Sequence, residues 1–154
     1  MHAQHERYIN KMIRKFKNTD IDQVINIWLK ASIAAHDFID KSFWQSKIND
    51  MKYVYLPAAE TYIYEENNII KGFLSLQKNI LAALFVSPDF QGAGIGTELI
   101  KKAQSIRNNL NLTVYKENIK SIAFYKKNGF EIEKEQIDPH TGHLELVMNQ
   151  KEYI

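Results

Sequence analysis

The sequence predicts an α/β domain in which helices cover a single mixed sheet. Three observations point to this class. The chain has 154 residues, which is enough for one domain with one substantial core. Its apolar residues switch between helical spacing and strand spacing along the chain. A glycine-rich stretch, residues 92–96, separates an apolar strand from an amphipathic helix. This arrangement is typical of a chain that leaves a sheet and forms a helix that packs on it.

The composition excludes several other classes of protein. Hydrophobic residues make up 45% and charged residues 25%, which is ordinary for a globular domain and unlike a disordered chain. The net charge of +2 predicts neither a nucleic-acid surface nor a membrane surface. The absence of cysteine rules out disulfides, thiolate zinc sites and cysteine nucleophiles. The polar opening residues predict no signal peptide, and no stretch approaches the ~18 apolar residues of a membrane span, so we expect a cytoplasmic location.

The first part of the chain predicts a leader, a strand and a helix. Residues 1–11 form a polar leader that need not be ordered, and we expect one domain over residues 12–154. A strand-like stretch, residues 12–16, is followed by Asn18 and Thr19, either of which can cap a helix. The stripe that this helix buries consists of Ile21, Val24, Ile25, Trp28, Leu29 and Ser32.

The rest of the chain predicts a second helix and then a run of strands and helices. The second helix begins at Asp40 or Ser42 and ends at Met51. Strands are predicted over residues 61–65, 69–77, 80–87 and 112–115, helices over 95–106 and 121–128, and a terminal hairpin over 130–137 and 144–148. The stretch 80–87 is almost entirely apolar, which predicts a central strand. The predicted order is therefore β-α-α-β-β-β-α-β-α-β-β.

The strand-to-helix junction at residues 91–97 has the features of an anion-binding site. Three of the chain's six glycines, Gly92, Gly94 and Gly96, lie there within five residues. The first N–H groups of a helix have no partner inside the helix, and they lie at the positive end of its dipole. Glycines leave these groups open to a phosphate because they carry no Cβ. A P-loop does not fit, since Gly96-Thr97 lacks the lysine, and a dinucleotide fingerprint does not fit because its glycine spacing differs.

Two motifs resemble those of the GNAT superfamily of N-acetyltransferases. Residues 91–96, Gln-Gly-Ala-Gly-Ile-Gly, match the family's Gln/Arg-x-x-Gly-x-Gly/Ala motif. Residues 118–130 match a second motif, Asn-x-x-Ala-x-x-Leu/Phe-Tyr-x-x-x-Gly-Phe, with Ser121 in place of the alanine. The resemblance covers most of residues 12–148. It implies a mostly antiparallel sheet of six to seven strands, flanked by about four helices, with a splayed central strand pair.

The resemblance also implies a reaction and its cosubstrate. Members of the family transfer the acetyl group of acetyl-CoA to a primary amine, by direct attack in a ternary complex and with no metal. Tyr125 would then be the acid for the leaving thiolate, since the reference pKa of a phenol is about 10 and that of a thiol about 8.5. The turn amides would hold the pyrophosphate, Asn118 the pantetheine arm, and the main chain of the strand before the turn would bind that arm. The residues so implied for acetyl-CoA are Phe85, Val86, Gln91, Gly92, Ala93, Gly94, Ile95, Gly96, Thr97, Asn118, Ser121 and Lys127.

The general base and the acceptor pocket are less clearly marked. Many relatives carry a glutamate on or near the central strand, but residues 80–84 contain no acid. His36, Asp37, Glu60 and a chain of water molecules are alternatives for the base. His36, Phe38, Trp44 and Tyr62 are the candidates to line an acceptor pocket. The acceptor amine belongs to a small molecule, a protein lysine or a protein N-terminus.

Three other functions remain open at this point. A non-catalytic module of the same fold would bind CoA without performing chemistry. A toxin-like enzyme would acetylate aminoacyl-tRNA, but the net charge of +2 argues against a nucleic-acid partner. A nucleotide hydrolase is disfavoured by the missing P-loop lysine. The terminal hairpin also offers a sheet edge through which two copies could pair as a homodimer.

Overall fold

The computed structural model describes residues 10–151, and these residues contain one seven-stranded sheet. The strand order across the sheet is β1-β2-β3-β4-β5-β7-β6. The strands are β1 (Lys11–Lys15), β2 (Glu60–Glu66), β3 (Ile69–Gln77), β4 (Ile80–Val86), β5 (Asn111–Tyr115), β6 (Phe130–Ile137) and β7 (Leu144–Gln150). All neighbours are antiparallel except β4 and β5, so the mostly antiparallel mixed sheet predicted above is confirmed.

The apolar strand β4 occupies the centre of the sheet, as its composition predicts. It pairs with β3 along its length, from Gly72 opposite Val86 to Gln77 opposite Ile80. Its pairing with β5 is limited to Ile80 and Asn111. Beyond that pair the two strands diverge, and the splay leaves a gap in the middle of the sheet.

The first helix, α1 (Ile21–Ala35), starts differently from the prediction. Residues Asn18–Asp20 form a 3-10 turn, so neither Asn18 nor Thr19 caps the helix. The buried Asp20 carboxylate instead accepts a hydrogen bond from the amide of Lys17 at 2.8 Å and a bidentate pair from Arg14 at 2.8 and 3.0 Å. The arginine pairing outweighs the burial of Asp20 and lowers the pKa of its carboxyl.

The second helical segment extends beyond the predicted end at Met51. Helix α2 (Lys41–Ser46) begins where expected, with the Asp40 carboxylate accepting from the amide of Ser42 at 2.9 Å. Three short helical turns follow: Ile48–Asp50, Met51–Tyr55 and Leu56–Ala58. The middle one is a wide π turn in which the amide of Leu56 donates to the carbonyl of Met51. This irregular turn has no 3.6-residue apolar repeat, which is why the periodicity does not reveal it.

Two further helices, α3 (Ile95–Ile106) and α4 (Ile119–Lys127), lie on the other face of the sheet. They cover one core built from β2, β3, β5 and β7, while α1, α2 and the short turns cover a second core on the opposite face. Helix α3 follows the end of β4 and helix α4 follows the end of β5, so both helices begin beside the splay. No helix within residues 10–151 is both long enough and apolar enough to cross a bilayer.

Candidate active site

Two cavities meet at the gap between β4 and β5. The sheet cavity, about 690 Å³, is lined by β3, β4, β5, the 138–140 turn and the α1–α2 face. The helix-end cavity, about 730 Å³, is lined by the C-terminal end of α1, the end of β4 and the starts of α3 and α4. The residues that line both are His36, Leu84, Phe85, Asn118, Ser121 and Tyr125. Ligands entering from the two sides would therefore meet at these residues.

The start of α3 forms an open anion cradle in the helix-end cavity. Gly92 and Gly94 have φ of +86° and +83°, a conformation that favours glycine. A Cβ built at either position meets nothing within 4 Å, so the space above the turn is free for a ligand. The Gln91 side-chain amide donates to the carbonyl of Val86 at 3.1 Å and fixes the turn to the end of β4. The amides of the first helical turn then face the cavity at the positive end of the helix.

Most residues assigned to the cosubstrate by resemblance do line the helix-end cavity. These are Phe85, Val86, Gln91, Gly92, Gly94, Ile95, Gly96, Thr97, Asn118 and Ser121. Ala93 is exposed within the turn, and Lys127 is exposed at the far end of α4, outside both cavities. Lys120, at the start of α4, lines the cavity in the place where Lys127 was expected. Lys120 is the second residue of α4, whereas Lys127 is its last residue, seven positions further along the helix.

Tyr125 stands where the two cavities meet. Its half-buried ring packs edge-on against Phe124 and Phe130, with centroids 5.3 and 5.7 Å apart. Burial raises the pKa of the Tyr125 phenol, and no hydrogen bond from the described residues contributes to that shift. The hydroxyl therefore stays protonated at neutral pH, and it can donate to a group placed in either cavity.

His36 and Asn118 form a buried pair that is linked to the start of α4. The Nδ1 atom of His36 lies 2.8 Å from the carbonyl oxygen of Ser32, so we assign the proton to Nδ1. Its Nε2 then accepts from the side-chain amide of Asn118 at 3.3 Å. The other end of the Asn118 side chain accepts from the amide of Ser121 at 3.2 Å and caps α4. Burial lowers the pKa of His36, and the bond to Ser32 offsets this only in part, so the ring is neutral.

The four acceptor candidates are only partly brought together. Trp44 is buried, lines the sheet cavity and stacks on His36 with centroids 5.0 Å apart. Phe38 packs edge-on against the same histidine at 5.7 Å but lines neither cavity. Tyr62 does not join them, because the alternation of side chains along β2 turns it toward α3 on the opposite face of the sheet. Its hydroxyl donates to Glu60 at 2.6 Å.

The residues considered as general base lie in different parts of the structure. Asp37 lines the helix-end cavity. Glu60 lies outside both cavities, where it accepts from Tyr62 and from Arg107 at 3.0 Å. These two hydrogen bonds outweigh the small effect of burial and lower the pKa of Glu60. The structure therefore removes Glu60 from the neighbourhood of Tyr125.

The sequence analysis overlooked a polar cluster in the sheet cavity. The hydroxyl of Tyr115, at the end of β5, donates to the Asp138 carboxylate. Asp138 is only 8% exposed and also accepts from the amide of His140 at 2.9 Å and from the hydroxyl of Thr141 at 3.3 Å. Asp138, His140 and Glu145 all line the cavity. Residues 138–143 have the composition of a turn, and the sequence gives no sign that this turn folds back against β5.

The described residues contain no group of three or more His, Cys, Asp or Glu side chains placed to hold a metal ion. The two histidines of the polar leader, His2 and His5, lie outside the described range.

Comparison with known proteins supports the resemblance on which the site was predicted. Residues 57–132 match the family model described as the acetyltransferase (GNAT) domain. The chain is 33% identical over 122 residues to the peptidyl-lysine N-acetyltransferase YiaC of Escherichia coli K12, covering 79% of this chain and 84% of that protein. It is 30% identical over 121 residues to the peptidyl-lysine N-acetyltransferase YjaB of the same strain, covering 78% of this chain and 82% of that protein.

Solved structures share the fold. The solution structure of apo YjaB from Escherichia coli superposes with a TM-score of 0.81 and 25% identity, over 93% of this chain and 99% of that one. The PaiA N-acetyltransferase of Thermoplasma acidophilum, solved in complex with coenzyme A, superposes with a TM-score of 0.77 and 20% identity, over 92% and 98% of the two chains.

Proposed function

Because this chain belongs to the GNAT family of N-acetyltransferases, we propose that it transfers the acetyl group of acetyl-CoA to the ε-amine of a protein lysine. Acetyl transfer to an amine is the reaction of the family. The choice of lysine is supported by two relatives that are named peptidyl-lysine N-acetyltransferases and match about four-fifths of this chain.

The observation that carries this proposal is the open cradle at the start of α3. Its glycines leave free the space that a Cβ would otherwise fill, and the first-turn amides of Ile95, Gly96 and Thr97 have no carbonyl four residues back within the helix. We assign the pyrophosphate of acetyl-CoA to these amides. A diphosphate is the part of the molecule that a helix N-terminus recognises, so the residues present fit the cosubstrate.

The splay provides the path from the cradle to the reacting atoms. Strand β4 pairs with β5 only at Ile80, so its later amides on that side have no partner strand. We infer that the main chain of Phe85 and Val86 binds the pantetheine arm, whose amides need donors and acceptors of this kind. The thioester would then lie beside Tyr125, where the two cavities meet.

The chemistry that follows is direct transfer. The neutral amine attacks the acetyl carbon, the carbon–sulfur bond breaks, and the sulfur gains a proton. Tyr125 keeps its proton at neutral pH and donates it to the developing thiolate, and the proton that the nitrogen loses as the amide forms returns to the Tyr125 phenolate through water. The chain has no cysteine to carry the acetyl group, which agrees with attack in a ternary complex.

We assign His36 and Asn118 a positioning role. Nε2 of His36 is engaged by Asn118, and burial disfavours the charged ring, so His36 is a poor general base. Through the cap on α4, the pair instead sets the position of the helix that carries Tyr125. The proton of the acceptor ammonium then leaves through water in the open sheet cavity, one of the routes considered above.

The experiment that tests the proposed function combines binding and turnover. We expect acetyl-CoA to bind in calorimetry and to release thiol when mixed with an N-terminally blocked lysine peptide. The same peptide with norleucine in place of lysine should release no thiol above background, because it lacks the amine. Binding without thiol release from any lysine or N-terminal amine would favour the non-catalytic module, and release only with aminoacyl-tRNA would favour the toxin-like enzyme.

Pairing of two copies through the terminal hairpin and a cytoplasmic location both remain predictions. The outer strand β6 is the free edge for such pairing, and its exposed residues include Glu131, Glu133, Lys134 and Glu135. Charges along an edge strand oppose continuous pairing, whereas the exposed Ile132 and Ile137 of the same strand favour contact with a second copy.

A further inference from the structure

We propose that Asp138 binds the positively charged ammonium group of the acceptor and thereby selects cationic amines over neutral ones. The inference rests on the proposed function, because it deepens the acceptor side of the same site. It starts from a contrast between two buried carboxylates.

Asp20 and Asp138 are both buried, at 4% and 8% exposure, but of the two only Asp20 forms a salt bridge within residues 10–151. Arg14 neutralises Asp20 through two charge-assisted hydrogen bonds. No Lys, Arg or His side chain within residues 10–151 lies within salt-bridge distance of Asp138. A buried charge without a partner of opposite sign is costly, so its presence in a cavity wall is a reason to look for an incoming cation.

The neighbours of Asp138 keep it ionised without cancelling its charge. Burial by itself raises the pKa of the carboxyl. Hydrogen bonds from Tyr115, the His140 amide and Thr141, with a smaller electrostatic contribution from the His140 side chain, together outweigh burial, and the pKa falls below its ordinary value. All three donors are neutral. Glu145, a second carboxylate, lines the same cavity. Asp138 therefore contributes a negative charge to the cavity wall at neutral pH.

Aromatic rings complete the surroundings that suit an ammonium ion. The Tyr115 ring, whose hydroxyl donates to Asp138, packs edge-on against His36 and Trp44 at centroid distances of 5.3 and 6.5 Å, and all three rings line the cavity. An ammonium group placed over an aromatic face is attracted by the ring, and this attraction acts beside that of a carboxylate. Trp44, Tyr115 and Asp138 all line the cavity that reaches Tyr125, so an amine bound there shares one space with the acid.

Because its pKa is low, Asp138 acts as a binding group for the ammonium ion and not as a base. It binds the ammonium form and does not take up its proton, which passes to water before the nitrogen attacks. The discrimination is therefore in acceptor binding. Removing the charge should raise KM for a cationic acceptor, while an acceptor that is already neutral at pH 7 should be unaffected.

The test compares two acceptors on one enzyme. One is a blocked lysine peptide, and the other is the same peptide with an aminooxy side chain, which is an uncharged nucleophile at neutral pH. For Asp138→Asn we expect kcat/KM for the lysine peptide to fall about 10- to 100-fold, mainly through KM, because the variant loses a hydrogen bond between two charged groups. The aminooxy peptide should change by no more than about twofold, as should the Kd for acetyl-CoA.

Three further variants separate charge from structure. Glu131→Gln removes one exposed carboxylate on β6 and should leave kcat/KM unchanged for both acceptors. Tyr115→Phe removes the hydrogen bond from Tyr115 to Asp138 but leaves the Asp138 carboxylate. The preference for the lysine peptide over the aminooxy peptide should therefore persist. Asp138→Ser keeps an acceptor for the turn amide of His140, and it takes the place of the asparagine variant if that protein does not fold.

Two outcomes would overturn the proposal. An equal loss for both acceptors in the Asp138 variants would make Asp138 a structural residue only, while the proposed function would stand. Wild-type enzyme that binds acetyl-CoA but acetylates neither acceptor would refute the proposed function, and the ammonium site with it.

Discussion

Tyr125→Phe is expected to reduce kcat by about 10²- to 10⁴-fold, the range for loss of a general acid. The substitution removes one hydroxyl from the place where the two cavities meet and leaves the ring against Phe124 and Phe130. Because the pyrophosphate cradle lies on another helix, the Kd for acetyl-CoA should change by no more than about twofold. Thiol release with a saturating lysine peptide measures the first quantity, and calorimetry measures the second.

The matched control for this substitution is Tyr62→Phe. Tyr62 is also a tyrosine with a hydroxyl of raised pKa, but its hydroxyl donates to Glu60 outside both cavities. Its loss should leave kcat within about twofold of the wild type. If turnover were unchanged in the Tyr125 variant, or reduced equally in both, Tyr125 would not be the acid.

Gly94→Ala should weaken acetyl-CoA binding at least about tenfold, which corresponds to 1.4 kcal/mol. Gly94 has φ of +83° at the residue before α3, and an alanine holds this conformation only at a cost of about 1–2 kcal/mol. The chain can avoid the strain only by turning the first helical amides away from their present direction. If it accepts the strain, the new methyl group enters the space that we assign to the pyrophosphate. Calorimetric titration with acetyl-CoA measures the effect.

Gly142→Ala serves as the control for backbone strain. Gly142 has φ of +76° and, like Gly94, open space around its missing side chain, but it lies in the turn between β6 and β7. The two variants should lose similar unfolding free energy, and only Gly94→Ala should lose affinity for acetyl-CoA. If the two variants bound acetyl-CoA with equal affinity, the cradle would not hold the diphosphate.

Much of the fold could be predicted because its signals are local. The apolar run in β4 marks the centre of the sheet, although Leu81 and Ala83 are its only fully buried residues because the last residues of the strand line the two cavities. The bounds predicted for α3, residues 95–106, are confirmed, since its start is set by glycines and its buried stripe by regular spacing. The splay was predicted from the family resemblance and follows from no single residue.

The features that could not be predicted depend on contacts between distant parts of the chain. Asp20 looks like a residue of the first helical turn, but Arg14 from β1 determines its role. Tyr62 was assigned to the acceptor pocket because it is aromatic, while the face it occupies depends on the register between β2 and β3. Asp138 becomes part of the site only because its turn folds against Tyr115, 23 residues earlier.

The central claim is that one bound thioester spans the two ends of the site, and a crystal structure with acetyl-CoA tests it most directly. The account predicts pyrophosphate oxygens within hydrogen-bonding distance of the Ile95, Gly96 and Thr97 amides, with the sulfur within reach of the Tyr125 hydroxyl. A pyrophosphate bound away from the start of α3, or a sulfur separated from Tyr125 by other side chains, would contradict it.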